Sequence, residues 1–304
     1  MRILLTGIVG QVGSALRPRL KSFGEVIAVD ETVLDFLQIT DIASVLDRIR
    51  PDLIINPAAY TAVDKAEDEP HLAQRINGEA PAIVARWAAS HSVPLIHFST
   101  DYVFDGSGAR AWREDDEPNP LSVYGATKLA GDNAIRAAGG VSLIIRTSWV
   151  YAAQGRNFLR TVARLARERS ELRIVADQIG APTSAAVIAD GVIAMLAPGL
   201  DTFCARCAEA GGLVNLTASG ETSWHGFAAA IVEGLKARQV PLAAERVLPL
   251  TTEQYPTKAK RPHNSRLDLT RLHKIYGITT PHWRDALTTE LDALAQQLKA
   301  TTPA

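Results

Sequence analysis

Tyr124 and Lys128 stand four apart in Tyr124-Gly125-Ala126-Thr127-Lys128, a spacing that on a helix turns a phenol and an ammonium to one face. A free tyrosine has a pKa of about 10, so proton exchange near neutrality takes roughly 4 kcal/mol of extra stabilisation of the phenolate. One cation at about 4 Å supplies up to about that much at an effective dielectric near 20. The pair is a candidate proton donor; the plainer alternative is a tyrosine packed at a helix start with a solvated lysine. Upstream stands Ser99-Thr100-Asp101-Tyr102. Cys204 and Cys207 form a Cys-x-x-Cys with no second pair to complete a zinc site, and the Ala-Glu-Ala-Gly-Gly that follows reads as a surface loop carrying two reduced thiols.

The elements that must position these groups are legible as an alternation of strands and helices. Residues 2 to 6 form a short apolar run, followed by Gly7-Ile8-Val9-Gly10-Gln11-Val12-Gly13 and a helical stretch to about Lys21. In that context the first glycine permits a tight turn, the second lets backbone approach a pyrophosphate, and the third allows close helix-to-strand packing. Glu25 to Asp30 reads as a second strand ending in an acid, where an acceptor for a ribose hydroxyl belongs. Thr40 or Asp41 should cap a helix carrying Ile42, Val45, Leu46 and Ile49 at i, i+3, i+4 and i+7. Leu53 to Asn56 is a third strand, and its exit, Pro57-Ala58-Ala59-Tyr60-Thr61, is small enough for a flat ring to lie against backbone.

A charged loop from Asp64 to Glu69, a long helix through Trp87, a fourth strand from Val93 to Phe98, a loop over 105 to 120, the Tyr124 helix and a fifth strand from Val141 to Arg146 follow. This rhythm predicts an α/β fold with a doubly wound parallel sheet, because parallel neighbours need crossovers and helices supply them. Ligands in such sheets bind beyond the carboxyl ends of the strands. After residue 150 the rhythm loosens: a helix from Asn157 to Glu168, a strand from Leu172 to Ala176, a polar turn from Asp177 to Thr183, and a helix to about Leu196. The cysteine loop spans 197 to 212, Leu213 to Leu216 returns to the sheet, Thr222 caps a helix, and a closing helix runs from Trp283 to Leu298.

The chain has 304 residues, 47% of them hydrophobic and 21% charged, with a formal net charge of -1. That supports one large domain or two modest ones and gives no electrostatic reason for nucleic acid or a membrane surface as partner. The apolar run before Gly7 is too short for a signal peptide, no stretch approaches membrane-spanning length, and a cytoplasmic protein is expected.

Thr6-Gly7-x-x-Gly10-x-x-Gly13, Ser99-Thr100 and Tyr124-x-x-x-Lys128, in that order, resemble the extended short-chain dehydrogenase/reductases. More narrowly, Ser99 to Phe104, Tyr124 to Leu129, Arg146 to Tyr151, Gly180 to Thr183, and Arg261-Pro262 with Asn264 to Leu267 resemble the dTDP-4-dehydrorhamnose reductase family over nearly the whole chain. That resemblance implies reduction of the 4-keto group of dTDP-6-deoxy-L-lyxo-4-hexulose by NADPH or NADH. Tyr124 would protonate the carbonyl oxygen, Lys128 would hold the nicotinamide ribose and lower the phenol's pKa, and Thr100 would hydrogen-bond the same oxygen. The cofactor set it implies comprises Gly7, Gly10, Gln11, Val12, Gly13, Asp30, Asp35, Phe36, Ala58, Ala59, Tyr60, Ser99, Tyr124 and Lys128. Around the sugar nucleotide it places Thr100, Asp101, Tyr102, Trp149, Asn157 and Asn264. Arg261 and Arg266 would grip the diphosphate, since a planar fork binds phosphate oxygens bidentately, while Lys258 and Lys260 are solvated.

The resemblance also implies a division into a Rossmann domain of residues 1–148 plus roughly 184–217 and a substrate domain of roughly 149–183 and 218–304. A nucleotide-sugar 4,6-dehydratase would want a glutamate directly after Asp101, where Tyr102 stands. A 4-epimerase uses the same tyrosine and lysine but regenerates its cofactor, and a non-catalytic cofactor-binding subunit would keep the fold alone. Some family members join two chains through magnesium held by glutamates. The corresponding places here read Ser14-Ala15 and Ala185-Ala186, so no metal and a monomer or weak homodimer are expected. Glu31 follows Asp30 with no arginine nearby for a 2′-phosphate, which leans toward NADH or dual use.

Overall fold

The computed structural model describes residues 1–300. The first apolar run is β1 (Arg2–Leu5), whose Ile3, Leu4 and Leu5 are fully buried. Next come α1 (Gln11–Arg19), β2 (Glu25–Ala28), α2 (Ile42–Ile49) and β3 (Leu53–Asn56). Neither Thr40 nor Asp41 caps α2. Asp41 holds the N-cap place with φ −95° and ψ −16° and makes no side-chain bond to the helix, because a capping side chain reaches the first-turn N–H groups only from extended backbone.

The stretch expected as a charged loop contains α3 (Val63–Ala66). The long helix beyond it is three pieces: α4 (Pro70–Gln74), a π turn over Arg75–Glu79, and α5 (Ala80–Ser90). The extra residue of a π turn pushes one side chain out of the i, i+4 rows, and here it aims Asn77 at the exit of β3. β4 (Leu95–Thr100), α6 (Val123–Ala137) and β5 (Ser142–Thr147) complete the alternation.

The second half contributes β6 (Val150–Tyr151), α7 (Phe158–Glu168), β7 (Glu171–Val175), β8 (Ile179–Gly180), β9 (Thr183–Ser184) and α8 (Ala185–Leu196). The polar turn over 177–183 is thus part strand, since the backbone at Ile179 finds partners on two sides. Residues 197–212 are not a loop: α9 (Leu200–Glu209) turns Phe203 and Cys207 into the core. Burial raises both thiols, that of Cys207 to about 12, so they are weak nucleophiles. After β10 (Leu213–Asn215) and β11 (Thr222–Ser223), α10 (Trp224–Ala237) is capped by Ser223, whose Oγ accepts from Gly226 N at 3.0 Å, with Thr222 one residue too early. β12 (Arg246–Leu250), β13 (Asn264–Ser265), α11 (Thr270–Tyr276) and α12 (Trp283–Ala300) close the described chain.

The six-stranded sheet has the order β10-β5-β4-β3-β1-β2, every neighbouring pair parallel, which is the expected doubly wound architecture. Its two faces bury separate apolar clusters, one with Ile3, Leu16, Ile96, Val192 and Phe203, the other with Leu4, Ile54, Val84 and Ile144. A third cluster joins α7, α10 and α12 through Leu159, Phe227, Ile231, Trp283 and Leu291. α11 packs Leu272 and Tyr276 onto the sheet's cluster, although the sequence division placed it with the substrate domain. Among the described residues, no single helix is long and apolar enough to cross a membrane, and no three His, Cys, Asp or Glu side chains gather as a metal site.

Candidate active site

β1 ends at Leu5, and after Thr6 the chain reverses through Gly7, whose φ is +56°, a backbone conformation L side chains resist. A Cβ on Gly13 would stand 2.3 Å from Gly7 O, so α1 begins hard against the turn and its N-terminal N–H groups face the ends of the strands. The result is a cleft of about 610 Å³ bounded by this turn, the ends of β2 to β5, and α6. Its shape fits a dinucleotide: a bare-backbone cradle at one point, acids at Asp30 and Asp35, and Phe36 beside them. Of the fourteen residues expected to hold the cofactor, thirteen line the cleft. Tyr60 does not; its hydroxyl donates to Glu69 Oε2 at 2.6 Å, and burial, the largest influence, pushes its phenol up to about 12.

Asp30 accepts from Thr32 Oγ1 at 2.5 Å and from Thr32 N at 3.0 Å. These bonds hold its carboxyl below the ordinary range, and Oδ2 has no partner among the described residues. Gln11 Oε1 accepts from Asn157 Nδ2 at 2.9 Å, which straps the 152–157 loop to the start of α1. Asn157 is a helix cap here: its Oδ1 accepts from Arg160 N at 3.1 Å and its Nδ2 also faces two loop carbonyls. Its amide is spent on holding the loop, and a substrate contact from it is not what the geometry favours. The next-door Arg156 lines the cleft, is exposed, and has no partner among the described residues. Nothing in the sequence announced it, because its place depends on the loop folding back over α1.

α6 starts where Ser122, in extended backbone, accepts from Gly125 N at 3.2 Å. Tyr124 and Lys128 both line the cleft, but their charges differ from the simple pair. Burial raises the Tyr124 phenol well above its usual value; a bond with Thr100 opposes this, and the carboxylates of Asp101 and Asp132 add to it. Lys128 Nζ is engaged elsewhere, donating to Phe98 O at 2.7 Å and lying 3.0 Å from His97 Nε2. Burial lowers its pKa to about 8, against the pull of Asp132. The expected lowering of the phenol by Lys128 is therefore absent from these side chains: two of the cation's three N–H groups face β4, and desolvation dominates at the tyrosine.

The residues expected around the sugar lie outside this cleft, most of them gathered about Tyr102, whose ring meets that of Tyr124 edge-on at 5.9 Å. Asp101 is fully buried, with Oδ1 accepting from Thr100 Oγ1 at 3.1 Å and Oδ2 without a hydrogen-bond partner among the described residues. Burial lifts its pKa to about 7, opposed by bonds from Ser265 and Thr100. Arg261 pairs bidentately with Asp64 at 2.7 and 3.2 Å and hydrogen-bonds Tyr102. Arg266 pairs likewise with Glu221 at 2.6 and 3.2 Å and donates to Asn264 Oδ1 at 3.1 Å. Lys258 is not simply solvated; it pairs with Asp68. Trp149 takes φ +49°, is 8% exposed, and stacks on Trp224 at 3.7 Å.

Two further buried residues shape the site. Asn77, aimed by the π turn, accepts from Tyr60 N at 2.8 Å and donates to Tyr60 O and Thr127 Oγ1 at 3.0 and 3.2 Å, pinning the β3 exit to α6. Ser99 Oγ donates to Asp132 Oδ2 at 2.7 Å, and burial raises that carboxyl despite Lys128 and Arg146 nearby.

The model of the RmlD substrate binding domain family matches residues 1–296. The chain is 44% identical over 289 residues to the dTDP-4-dehydrorhamnose reductase of Burkholderia thailandensis, covering 94% of this chain and 97% of that one. Among solved structures, a dTDP-4-dehydrorhamnose reductase from Clostridium acetobutylicum superposes with a TM-score of 0.86 at 36% identity, covering 97% of this chain and 99% of that one. The Bacillus anthracis enzyme in complex with NADP does so with a TM-score of 0.85 at 33% identity, covering 96% and 98%. With most of its length matched at this level and its cleft built as described, the chain belongs to the dTDP-4-dehydrorhamnose reductase family.

Proposed function

We propose that the protein reduces the 4-keto group of dTDP-6-deoxy-L-lyxo-4-hexulose with NADPH or NADH, giving dTDP-L-rhamnose. The observation that carries this reading is that Tyr124 and Lys128 both line the glycine-turn cleft while Thr100, just outside its lining, bonds Tyr124. A nicotinamide dinucleotide supplies the hydride when bound. The cleft would hold it through the Gly7 to Gly13 turn, Asp30 toward a ribose hydroxyl, Ala58 and Ala59 against a flat ring, and Lys128 toward the second ribose. Arg156 adds an exposed cation on the Gln11 side. Tyr124 donates its phenolic proton to the substrate oxygen as negative charge develops there, and Thr100 steadies that oxygen by hydrogen bonding. Arg261 and Arg266 address the diphosphate, releasing part of their carboxylate pairing to do so.

The reading carries with it a cytoplasmic monomer or weak homodimer that needs no magnesium. The Rossmann unit is drawn as 1–148 plus 184–217, with the α11 segment joined to it, and the rest forms the sugar-nucleotide unit. The test is to supply dTDP-6-deoxy-L-lyxo-4-hexulose with NADH or NADPH and compare cofactor oxidised with sugar formed. One cofactor consumed per product is expected. Conversion with only catalytic cofactor would mean epimerisation, and neither consumption nor product would sink the enzymatic reading.

A further inference from the structure

We propose that His97 is a positioning residue for the reaction: a neutral imidazole that accepts a hydrogen bond from the Lys128 ammonium and thereby fixes where Nζ stands in the cleft. The inference rests on the reductase reading of Lys128 and extends it to a residue with no assigned role.

His97 lies inside β4 at 0% exposure, flanked in sequence by Ile96 and Phe98 and in register by Ile144 of β5. A polar ring in the middle of such a sheet is costly unless its nitrogens are bonded. Both are. Nε2 is 3.0 Å from Lys128 Nζ, and Nδ1 is 3.1 Å from the side-chain amide of Asn56, its register partner on β3. That amide continues to Thr6 Oγ1 at 2.6 Å. A line of polar groups thus crosses three strands under the floor of the cleft, from Lys128 through His97 and Asn56 to Thr6, each no more than 3% exposed.

The line has a direction. An ammonium has hydrogens only to give, so Nε2 must be the bare nitrogen and Nδ1 must carry the ring proton; the Asn56 amide, which stands with Nδ2 toward Nδ1 and Oδ1 accepting from Thr6 Oγ1, must then take the flipped orientation of the same shape, oxygen to the ring and nitrogen to Thr6. An imidazolium is excluded by burial and by the neighbouring cation, which both hold the ring's pKa well below its usual value. The line also passes through the Asn56 amide, which does not relay protons, so it holds the lysine rather than feeding it. With Phe98 O accepting a second N–H at 2.7 Å, one N–H of the three remains for the cleft. The other groups that face this ammonium are on its own helix, Tyr124 one turn before and Asp132 one turn after, the latter held in turn by Ser99 of β4 and Arg146 of β5.

The test compares wild type, His97→Leu and His97→Gln. In the cofactor-free protein, Lys128 Nζ is followed by pH titration with lysine-selective 15N NMR, and kcat and KM are measured with the nucleotide sugar. His97→Leu is expected to lower kcat about tenfold to a hundredfold, the scale of a misplaced catalytic group, and to move the Nζ titration to lower pH because an acceptor of the charged form is lost. His97→Gln, whose amide oxygen can accept from Nζ, should recover most of both. A mere core filler predicts the opposite order, since leucine suits an apolar strand better than glutamine. Equal Nζ titrations in wild type and His97→Leu, or no recovery in folded His97→Gln, would overturn the proposal. Should neither variant fold, histidine-selective 15N NMR of the wild type decides it: a neutral ring protonated on Nδ1 between about pH 5 and 8 is expected, and an imidazolium or an Nε2–H ring sinks it. The NMR readouts stand even if wild type proves inactive on the nucleotide sugar, so failure of this proposal is distinguishable from failure of the reductase reading.

Discussion

A phenol sealed from solvent resists ionisation, and among the described residues Thr100 is what offsets that at Tyr124. It is therefore well suited to keep its proton until an oxygen beside it begins to take up charge. Tyr124→Phe is expected to bind cofactor as wild type does, read by quenching of tryptophan fluorescence, while kcat falls by at least about a hundredfold. Asp30, with Oδ1 taken by Thr32 and Oδ2 without a partner among the described residues, should favour the cofactor that keeps both ribose hydroxyls. Asp30→Ala is expected to lower the NADH-to-NADPH ratio of kcat/KM about tenfold, the value of one charge-assisted hydrogen bond. Asp101 predicts a pH signature of stability. Its folded pKa of about 7 lies above the ordinary 3.8, so the folded state holds the proton more tightly and wild type loses stability as pH rises from about 4 to 7. Asp101→Asn should match wild type near pH 4 and exceed it by up to about 4 kcal/mol above pH 7, measured by denaturant unfolding. At this scale Tyr124, Lys128, Thr100 and the glycines were legible because their spacing is local. His97, Asn77 and Arg156 were not, since each acquires its role from a partner at least seventeen residues away or from a loop's path.

The placement of α6 depends on close backbone approach. A Cβ on Gly125 would stand 2.2 Å from Tyr102 O, so α6 lies directly on the segment leaving β4 and brings Tyr124 to Thr100. Gly125→Ala should push the two apart, lowering stability by about 1–3 kcal/mol and kcat far more than cofactor affinity, read by thermal unfolding and single-turnover rates. The sheet strands were readable as short apolar runs of the right length, and α2 and α7 as helices of the right period. The α9 helix was hidden because alanines, arginine and glycines follow its cysteines, and its apolar contacts with the core are visible only after α8 has packed. The π turn was hidden for a different reason: a one-residue insertion leaves the helical periodicity almost intact while redirecting Asn77.

Across the whole molecule, the sheet's clusters and the α7–α10–α12 cluster meet along a line where charged pairs join distant segments. Arg261 reaches Asp64, 197 residues away in sequence, and Arg266 reaches Glu221. Arg261→Ala is expected to raise the KM for the nucleotide sugar about tenfold or more and leave cofactor binding unchanged, checked by separate titrations of the two ligands. That this segment is basic was legible from its composition; its partners, Asp64 of α3 and Glu221 just before β11, were not, because they are distant in sequence. The stacked indoles of Trp149 and Trp224 lie on this same line, one following β5 and the other opening α10. Two near-parallel indoles this close share their electronic excitation, so their near-ultraviolet circular dichroism is a property of the pair. The protein thus carries its own optical gauge, and any slide of α10 against the end of β5 when a sugar nucleotide enters should register in that signal without a label.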